Sequence, residues 1–343
     1  ATSGTGVDGF YTVATTPGAK TFTFTAGTSQ TASGNCLGID ILTSYTITDD
    51  NWQVASMPLG SGLSASAHAV WVQANHAPLI IHKLGTTAHS HVDGYGFQRL
   101  GDVATALPVG YSTSTFKPSC SLYAYGRLWV ANTDATDTQT VYFSDLQNPA
   151  QWQTGTAGYL DISAVIPTGD PIVALAAHNG FLIIFCKRHI VIYSGPKDPS
   201  TMTLTDVISG VGCIARDTVQ SVGGTDILFL SENGVQSLQR LVQEKSLPFR
   251  DVSKNVRDEL LSLVNSETLA NIKAIYYAPD AFYLLALPSS GYTFCFDTRG
   301  VLENGAARTT TWKQINPTAF TVTDAKELYV GQVGYIGKYT GYI

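Results

Sequence analysis

Charged side chains are scarce in this sequence: Asp, Glu, Lys and Arg make up 13% of 343 residues, with a formal net charge of -6. A protein that grips nucleic acid neutralises phosphates with clustered Lys and Arg, so this balance excludes a strongly binding nucleic-acid reader. The five cysteines, Cys36, Cys120, Cys186, Cys213 and Cys295, are widely spread and none forms a CxxC pair. Their odd number, with Cys186 and Cys295 inside apolar stretches, reads as buried reduced thiols rather than a disulfide framework, and as folding in a reducing cytoplasm. Apolar runs are no longer than a strand, far short of the ~20 residues that cross a bilayer as a helix, and no charged-then-apolar signal segment is present. The chain opens on Ala1 and stops at Gly341-Tyr342-Ile343, as expected of a processed product or the ordered part of something longer.

Catalytic signatures are missing too. No GxSxG, HExxH, Walker A or EF-hand pattern occurs. Gly4-Thr5-Gly6-Val7-Asp8-Gly9 matches GxGxxG literally. Phosphate binding needs a helix N-terminus directly after the glycines, and here a strand pattern follows, so the match is coincidental.

What the sequence does have is a recurring strand grammar. A short apolar strand meets a tight turn, a strongly apolar strand runs back, and an aromatic strand follows. The clearest copy is Ile172-Val173-Ala174-Leu175-Ala176, His178-Asn179-Gly180, Phe181-Leu182-Ile183-Ile184-Phe185 and His189-Ile190-Val191-Ile192-Tyr193. Equivalent turns occur at Tyr125-Gly126-Arg127, Gly223-Gly224-Thr225, Pro279-Asp280-Ala281 and Asp324-Ala325-Lys326, with an earlier unit at Ala69-Val70-Trp71-Val72, Asn75-His76-Ala77 and Leu79-Ile80-Ile81-His82. The spacing is close to the ~40 to 50 residues of propeller blades. One such unit cannot bury both faces, whereas several around an axis can, so the expectation is an all-β protein: a β-propeller of about six blade-like units over residues 36–343.

Two segments stand apart. Residues 1–35 are almost uncharged and Thr-rich, and Phe10-Tyr11-Thr12-Val13 and Thr21-Phe22-Thr23-Phe24-Thr25 flank Pro17-Gly18, which predicts an N-terminal β-hairpin module turning at that dipeptide. Between Asp251 and Val264 the apolar positions Val252, Val256, Leu260 and Val264 fall four apart, which predicts an amphipathic helix inserted between blades, capped by Asp251 or Ser253 and ended by Asn265. Its role is either to cover the open edge of a blade or to meet a neighbouring copy. Lys254 and Arg257 on the charged face are the candidate subunit-interface residues.

Other constellations read as ordinary structure. His76, His82, His89 and His91 lie close in sequence without a carboxylate or thiol at companion spacing, and read as loop residues rather than a metal site. Asp49-Asp50-Asn51 and the pair Asp134 and Asp137 do not form a calcium loop, so no metal or other cofactor is expected. A glycosidase would need two carboxyls about 5 to 10 Å apart, and Asp145, Asp161, Asp170 and Asp297 are the available recruits, but their spacing selects no pair. Of the tryptophans, Trp71 and Trp129 read as core, while Trp152 and Trp312 follow polar turns and are the ones expected to be exposed.

Two passages carry a family likeness. One runs Gly126-Arg127-Leu128-Trp129-Val130-Ala131-Asn132, Val141-Tyr142-Phe143-Ser144-Asp145, Asn148-Pro149, Trp152, Gly169-Asp170-Pro171-Ile172 and Lys187-Arg188-His189-Ile190. The other runs Gly212-Cys213-Ile214-Ala215-Arg216-Asp217-Thr218-Val219, Leu228-Phe229-Leu230-Ser231-Glu232-Asn233-Gly234-Val235, the helix after Asp251, and Ala281-Phe282-Tyr283-Leu284-Leu285-Ala286-Leu287-Pro288. In this order they resemble the tail nozzle, or tail tubular protein B-like, proteins of short-tailed bacteriophages, over roughly residues 37–340. Proteins of this group are often considerably longer, with added platforms for fibres.

The resemblance implies a virion structural protein and not an enzyme: a homo-oligomer, hexameric in the family, at the distal end of the phage tail below an adaptor protein. Its ring would enclose a DNA ejection channel that double-stranded DNA passes without sequence-specific contact. The protein would be assembled in the bacterial host cytoplasm and end in the virion tail, in company with tail fibres. A mildly acidic chain suits that task, because strong Lys and Arg contacts would brake the genome. The alternatives are a carbohydrate- or receptor-binding β-propeller module and a propeller glycosidase.

Overall fold

The computed structural model describes residues 107–343 except 113–114, 117, 134–135, 149–150, 245–251, 314, 324, 333–334 and 342–343, and, before 107, the backbone of eight short strands. The chain divides into two compact units, 1–43 and 44–343. In the first, β1 (Ser3–Gly4) pairs with β4 (Ala32–Ser33), and β2 (Val13–Gly18) pairs with β3 (Thr21–Phe24). The expected hairpin is present, but Gly18 pairs with Thr21, so Pro17-Gly18 belongs to the strand and not to the turn. Proline at a strand edge position removes only an unneeded donor. Gly4 lies in β1, and the next described element after the glycine-rich stretch is the strand β2.

The second unit begins, among the described residues, with β5 (Val70–Ala74) paired antiparallel to β6 (Ala77–Ile81), and with β7 (His91–Val92) paired antiparallel to β8 (Tyr95–Gly96). Five antiparallel sheets follow, each strand pairing with the next in sequence. The first contains β9 (Cys120–Ala124), β10 (Arg127–Ala131), β11 (Thr140–Phe143) and β12 (Gly158–Asp161). The second contains β13 (Ile172–His178), β14 (Phe181–Cys186), β15 (His189–Ser194) and β16 (Thr203–Ser209). The third has β17 (Gln220–Val222), β18 (Asp226–Ser231) and β19 (Gly234–Ser237), and continues into helix α1 (Leu238–Glu244). Helix α2 (Arg257–Val264) precedes the fourth, formed by β20 (Lys273–Tyr277), β21 (Phe282–Leu287), β22 (Tyr292–Val301) and β23 (Ala307–Trp312). The fifth is β24 (Ala319–Val322), β25 (Leu328–Gln332) and β26 (Tyr335–Lys338).

The first strands of these sheets stand side by side: β9 against β13, β17 against β20, and β20 against β24, with the turn Arg216–Thr218 that leads into β17 lying against β13. Between each pair of successive sheets lies one apolar core. Trp129, Val141 and Phe143 of the first sheet meet Ile172, Leu182, Ile184 and Val191 of the second. Ile183, Phe185 and Ile190 meet Ile227 and Phe229 of the third. Leu228, Leu230 and Val235 meet Tyr283, Leu285 and Phe294 of the fourth, and Phe282, Leu284 and Cys295 meet Phe320, Leu328 and Val330 of the fifth. This serial face-to-face packing around adjoining first strands makes the body an all-β propeller. It also explains the continuous apolar runs: in β14, Leu182, Ile184 and Cys186 face one core while Ile183 and Phe185 face the next.

Every turn singled out in the sequence from residue 125 onward joins the first and second strands of a sheet. At Asn179 (φ 49°) and Gly180 (φ 82°) both central residues adopt the left-handed conformation that a two-residue hairpin requires, which is why Asn-Gly stands there.

Candidate functional site

Three charged side chains, Arg216, Asp217 and Lys273, gather where the first strands begin. Arg216 and Asp217 occupy the short 3-10 turn Arg216–Thr218, held by the Thr218 hydroxyl, which donates to the Ala215 carbonyl at 2.6 Å. The turn is fixed from behind as well. A Cβ at Gly212 would collide with the carbonyl of Cys186, and the bare backbone there lets Cys213 donate its N–H to that carbonyl at 2.9 Å.

From this turn Arg216 extends past the second blade, and its Nη1 donates to the Ser119 carbonyl at 2.8 Å, directly before β9. Its Nε donates to Asp217 Oδ1 at 3.1 Å. Asp217 Oδ2 accepts from Lys273 Nζ at 2.7 Å, and Lys273 also donates to the Ala270 carbonyl at 2.9 Å. The three side chains are 14%, 20% and 8% exposed, so the cluster is largely withdrawn from water yet internally paired. It joins the entries of the first, third and fourth blades through two cations and one carboxylate. In the sequence Arg216-Asp217 stands only as part of the second family-like passage, and nothing there marks Lys273. The available signal was two adjacent charges after the apolar run Cys213-Ile214-Ala215 in a chain with few charges.

A second polar joint lies beside it. Asp170, before β13, is buried and accepts from the Arg188 backbone N–H at 3.0 Å and contacts His189 Nδ1 at 2.6 Å. The same turn approaches the third blade, with Arg188 Nε 3.6 Å and Lys187 Nζ 3.9 Å from Glu232 Oε1. Asp170, one of the glycosidase candidates, is therefore tied into this joint.

The other carboxylates are engaged locally. Asp145 Oδ1 accepts from the Thr156 N–H and hydroxyl, both at 2.8 Å, and these bonds hold its pKa below the usual carboxylate range. Asp161 accepts from the Ser163 N–H at 2.8 Å. Asp297 is gripped by Arg299 through Nε at 2.9 Å and Nη2 at 2.6 Å, which lowers its pKa. No two of the four share a hydrogen-bond partner in these contacts. Asp137 Oδ2 accepts from the hydroxyls of Tyr111 and Tyr142 at 2.7 Å each and of Thr133 at 3.2 Å, so it organises a tyrosine cluster. Burial is the main reason the Tyr111 hydroxyl is pushed up to about 12. Among the described residues no three His, Cys, Asp or Glu side chains gather as a metal site. His76, His82 and His89, the side chain of His91, Asp49-Asp50-Asn51, Asp134, Cys36 and the side chain of Trp71 lie outside the described residues.

One tryptophan expectation and one helix boundary change. Trp129 is core as expected, but Trp152 is 3% exposed and packs edge-on against Phe116, while Trp312 is half-buried and stacks on Tyr339. The helix predicted over 251–264 starts only at Arg257. Ser253 does not cap it, because the buried Ser253 hydroxyl accepts the Val235 N–H at 3.0 Å instead. Asn265 ends it as predicted, and Leu260 and Val264 are buried with Val252 in the core between blades three and four. Val252 donates its N–H to the Val235 carbonyl at 2.9 Å and accepts from Ala307 at 3.0 Å, so this segment covers the edge of the three-stranded third blade. Lys254 and Arg257 are exposed, Arg257 with Asp258 at 4.0 Å. Among the described residues no helix is long and apolar enough to cross a membrane.

No family model and no curated protein matches this chain. Among solved structures, the WD40 domain of Neurospora crassa Pan2 aligns over 80% of this chain and 76% of that chain, at 10% identity and a TM-score of 0.41. The computationally designed Ika8 protein aligns over 76% of this chain and 72% of that chain, at 12% identity and a TM-score of 0.41. Kluyveromyces lactis Hsv2 aligns over 57% of this chain and 62% of its own, at 10% identity and a TM-score of 0.33, so this chain spans about three-fifths of the Hsv2 chain.

Proposed function

We propose that this chain is a structural, non-catalytic subunit of the tail nozzle of a short-tailed bacteriophage, acting in a ring of copies that retains and then passes the genome. The observation that carries this reading is the order of the nozzle-like segments along residues 126–288, together with their places in the fold. Gly212 to Val219 includes the turn from which Arg216 reaches the first blade, and Leu228 to Val235 supplies the core that the edge-covering segment protects.

The axial cluster adds a constraint. One arginine side chain spans from the entry of the third blade to that of the first, a gap narrower than the ~12 Å major groove of the duplex itself. In this reading, double-stranded DNA therefore runs between copies and not through the axis of one propeller. The internally paired charges at that axis are then structural, and the channel wall is a surface shared by neighbours. Lys254 and Arg257, on a segment whose other side is committed to the core, are the proposed subunit-interface residues. The ring would be hexameric, docked on an adaptor protein and in company with tail fibres, in the virion tail after assembly in the host cytoplasm.

Quantitative mass spectrometry of purified particles tests this. The reading expects the protein at a fixed copy number per particle and on the tail by immunogold labelling. A protein free in the lysate and absent from particles, or one that binds glycans on an array, would favour the carbohydrate- or receptor-binding alternative.

A further inference from the structure

Asn-Gly stands three times in this sequence, at Asn179-Gly180, Asn233-Gly234 and Asn304-Gly305. Asparagine is a thermolabile residue, and a following glycine, lacking Cβ, lets its main-chain nitrogen come close to the asparagine side chain. The fold treats the three differently. Gly305 is buried and donates its N–H to the Leu302 carbonyl at 2.8 Å, while the Asn304 amide is held at both ends, by the Ala306 N–H at 3.1 Å and by Asn255 Oδ1 at 2.6 Å. Gly234 is buried as the first residue of β19, paired with Ser231, and the Asn233 N–H donates to the Ser231 hydroxyl at 3.0 Å. Asn179 and Gly180 are both exposed, at the tip between β13 and β14. The Gly180 N–H has no hydrogen-bond partner among the described residues, and a Cβ placed there would meet nothing within 4 Å. Asn179 Nδ2 donates to His178 Nε2 at 3.0 Å.

We infer that Asn179 is a site of self-modification, at which Gly180 and His178 convert the asparagine to aspartate and isoaspartate. The Gly180 nitrogen attacks Asn179 Cγ, and the new N–Cγ bond closes a five-membered succinimide. The Cγ–Nδ2 bond breaks, and Nδ2 leaves as ammonia with the proton that Gly180 gives up. Water then adds to either ring carbonyl and opens the ring, leaving the carboxylate on the side chain or on the main chain. His178 Nε2, already against Nδ2, takes the released proton and hands it to the departing nitrogen, as a general base and then a general acid. Ring closure requires the Asn179 peptide to rotate out of its left-handed conformation. An exposed tip with an unbonded Gly180 N–H opens in this way at lower cost than the buried glycines of the other two sites. The product carries an added negative charge, and isoaspartate adds a main-chain methylene close to Phe181, whose carbonyl accepts the Tyr125 hydroxyl of the first blade at 2.9 Å. The modification therefore bears on the joint between the first two blades, and it does not rest on the tail reading.

The test incubates the pure full chain at mildly alkaline pH in water enriched in oxygen-18 and follows the three peptides by liquid chromatography and mass spectrometry. The peptide bearing position 179 is expected to take up one labelled oxygen and to split into two products of equal mass, aspartate and isoaspartate. Its rate should exceed those at positions 233 and 304 by at least about tenfold, because only its glycine is open in the folded chain. His178→Ala and His178→Gln should each slow the reaction at 179 by at least about tenfold with an unchanged circular dichroism spectrum. In denaturant the three sites should react at similar rates, since the fold and not the dipeptide sets them apart. Reaction at 179 no faster than at 233 and 304, an unchanged rate in the His178 variants, or a difference among the sites that persists in the unfolded chain overturns the inference.

Discussion

Arg216 and Ser119, 97 residues apart, meet through a 2.8 Å hydrogen bond from the guanidinium to the main-chain carbonyl, and Lys273 completes the cluster through Asp217. Removing Lys273 leaves Asp217 in a poorly solvated place with Arg216 as its remaining ionic partner in the cluster, so Lys273→Met should destabilise the body by about 3–5 kcal/mol. Arg216→Met should cost about 1–3 kcal/mol, since it orphans the Ser119 carbonyl. Chemical denaturation of the two single variants and the double variant should reveal non-additivity, because both cations act on one carboxylate.

The thiols give a second check. Cys120, Cys186, Cys213 and Cys295 are buried and not disulfide-bonded, and burial pushes Cys213 and Cys295 up to about 12 and Cys186 higher still. Native protein at pH 8 should react with a thiol reagent only slowly at these positions, because the thiolate is the reactive form. Unfolding should expose them, and alkylation after denaturation without reductant should modify all five cysteines of the chain. A mass corresponding to disulfide bridges would contradict assembly in a reducing compartment.

Helix α2 separates stability from assembly. Leu260 is fully buried, so Leu260→Asp places an unpaired charge in the core between blades three and four and should cost several kcal/mol or abolish soluble protein. Lys254→Glu with Arg257→Glu alters only exposed positions and should change stability by about 0.5 kcal/mol or less while blocking incorporation into tails. Normal incorporation of that double variant, counted per particle, would refute the interface role.

Much of the fold was legible because its signals are local. Asn179-Gly180 can be read as a hairpin turn from two residues, and the unbroken run Phe181 to Cys186 announces a strand buried on both faces. The start of α2 was misplaced because the Ser253 hydroxyl, which sequence spacing offers as a cap, is taken by the Val235 N–H, a partner 18 residues away. Trp152 follows polar residues but is buried by Phe116 from a preceding segment. The axial cluster was invisible for the same reason: Lys273 finds Asp217 across 56 residues, and nothing near either residue announces the other.

Acid should loosen the rims of the first and fourth blades. The Thr156 N–H and hydroxyl depress the pKa of Asp145, and Arg299 depresses that of Asp297. A lowered folded-state pKa contributes stability that is complete above the ordinary Asp value of about 3.9 and is lost as pH falls through the folded value. Asp145→Asn with Asp297→Asn should therefore flatten the fall of stability below about pH 4, measured by denaturant midpoints across pH. An unchanged slope would show that these contacts do not discriminate ionised from neutral carboxyls.

The most direct test of the proposed role is imaging of purified phage particles by cryo-electron microscopy, with the subunit located by a tag. The account predicts a ring of propeller-shaped subunits at the distal end of the tail, with density for DNA between the copies and none through any propeller's own axis. Particles whose tails lack this chain, or DNA density threading the axis that Arg216 spans, would contradict it.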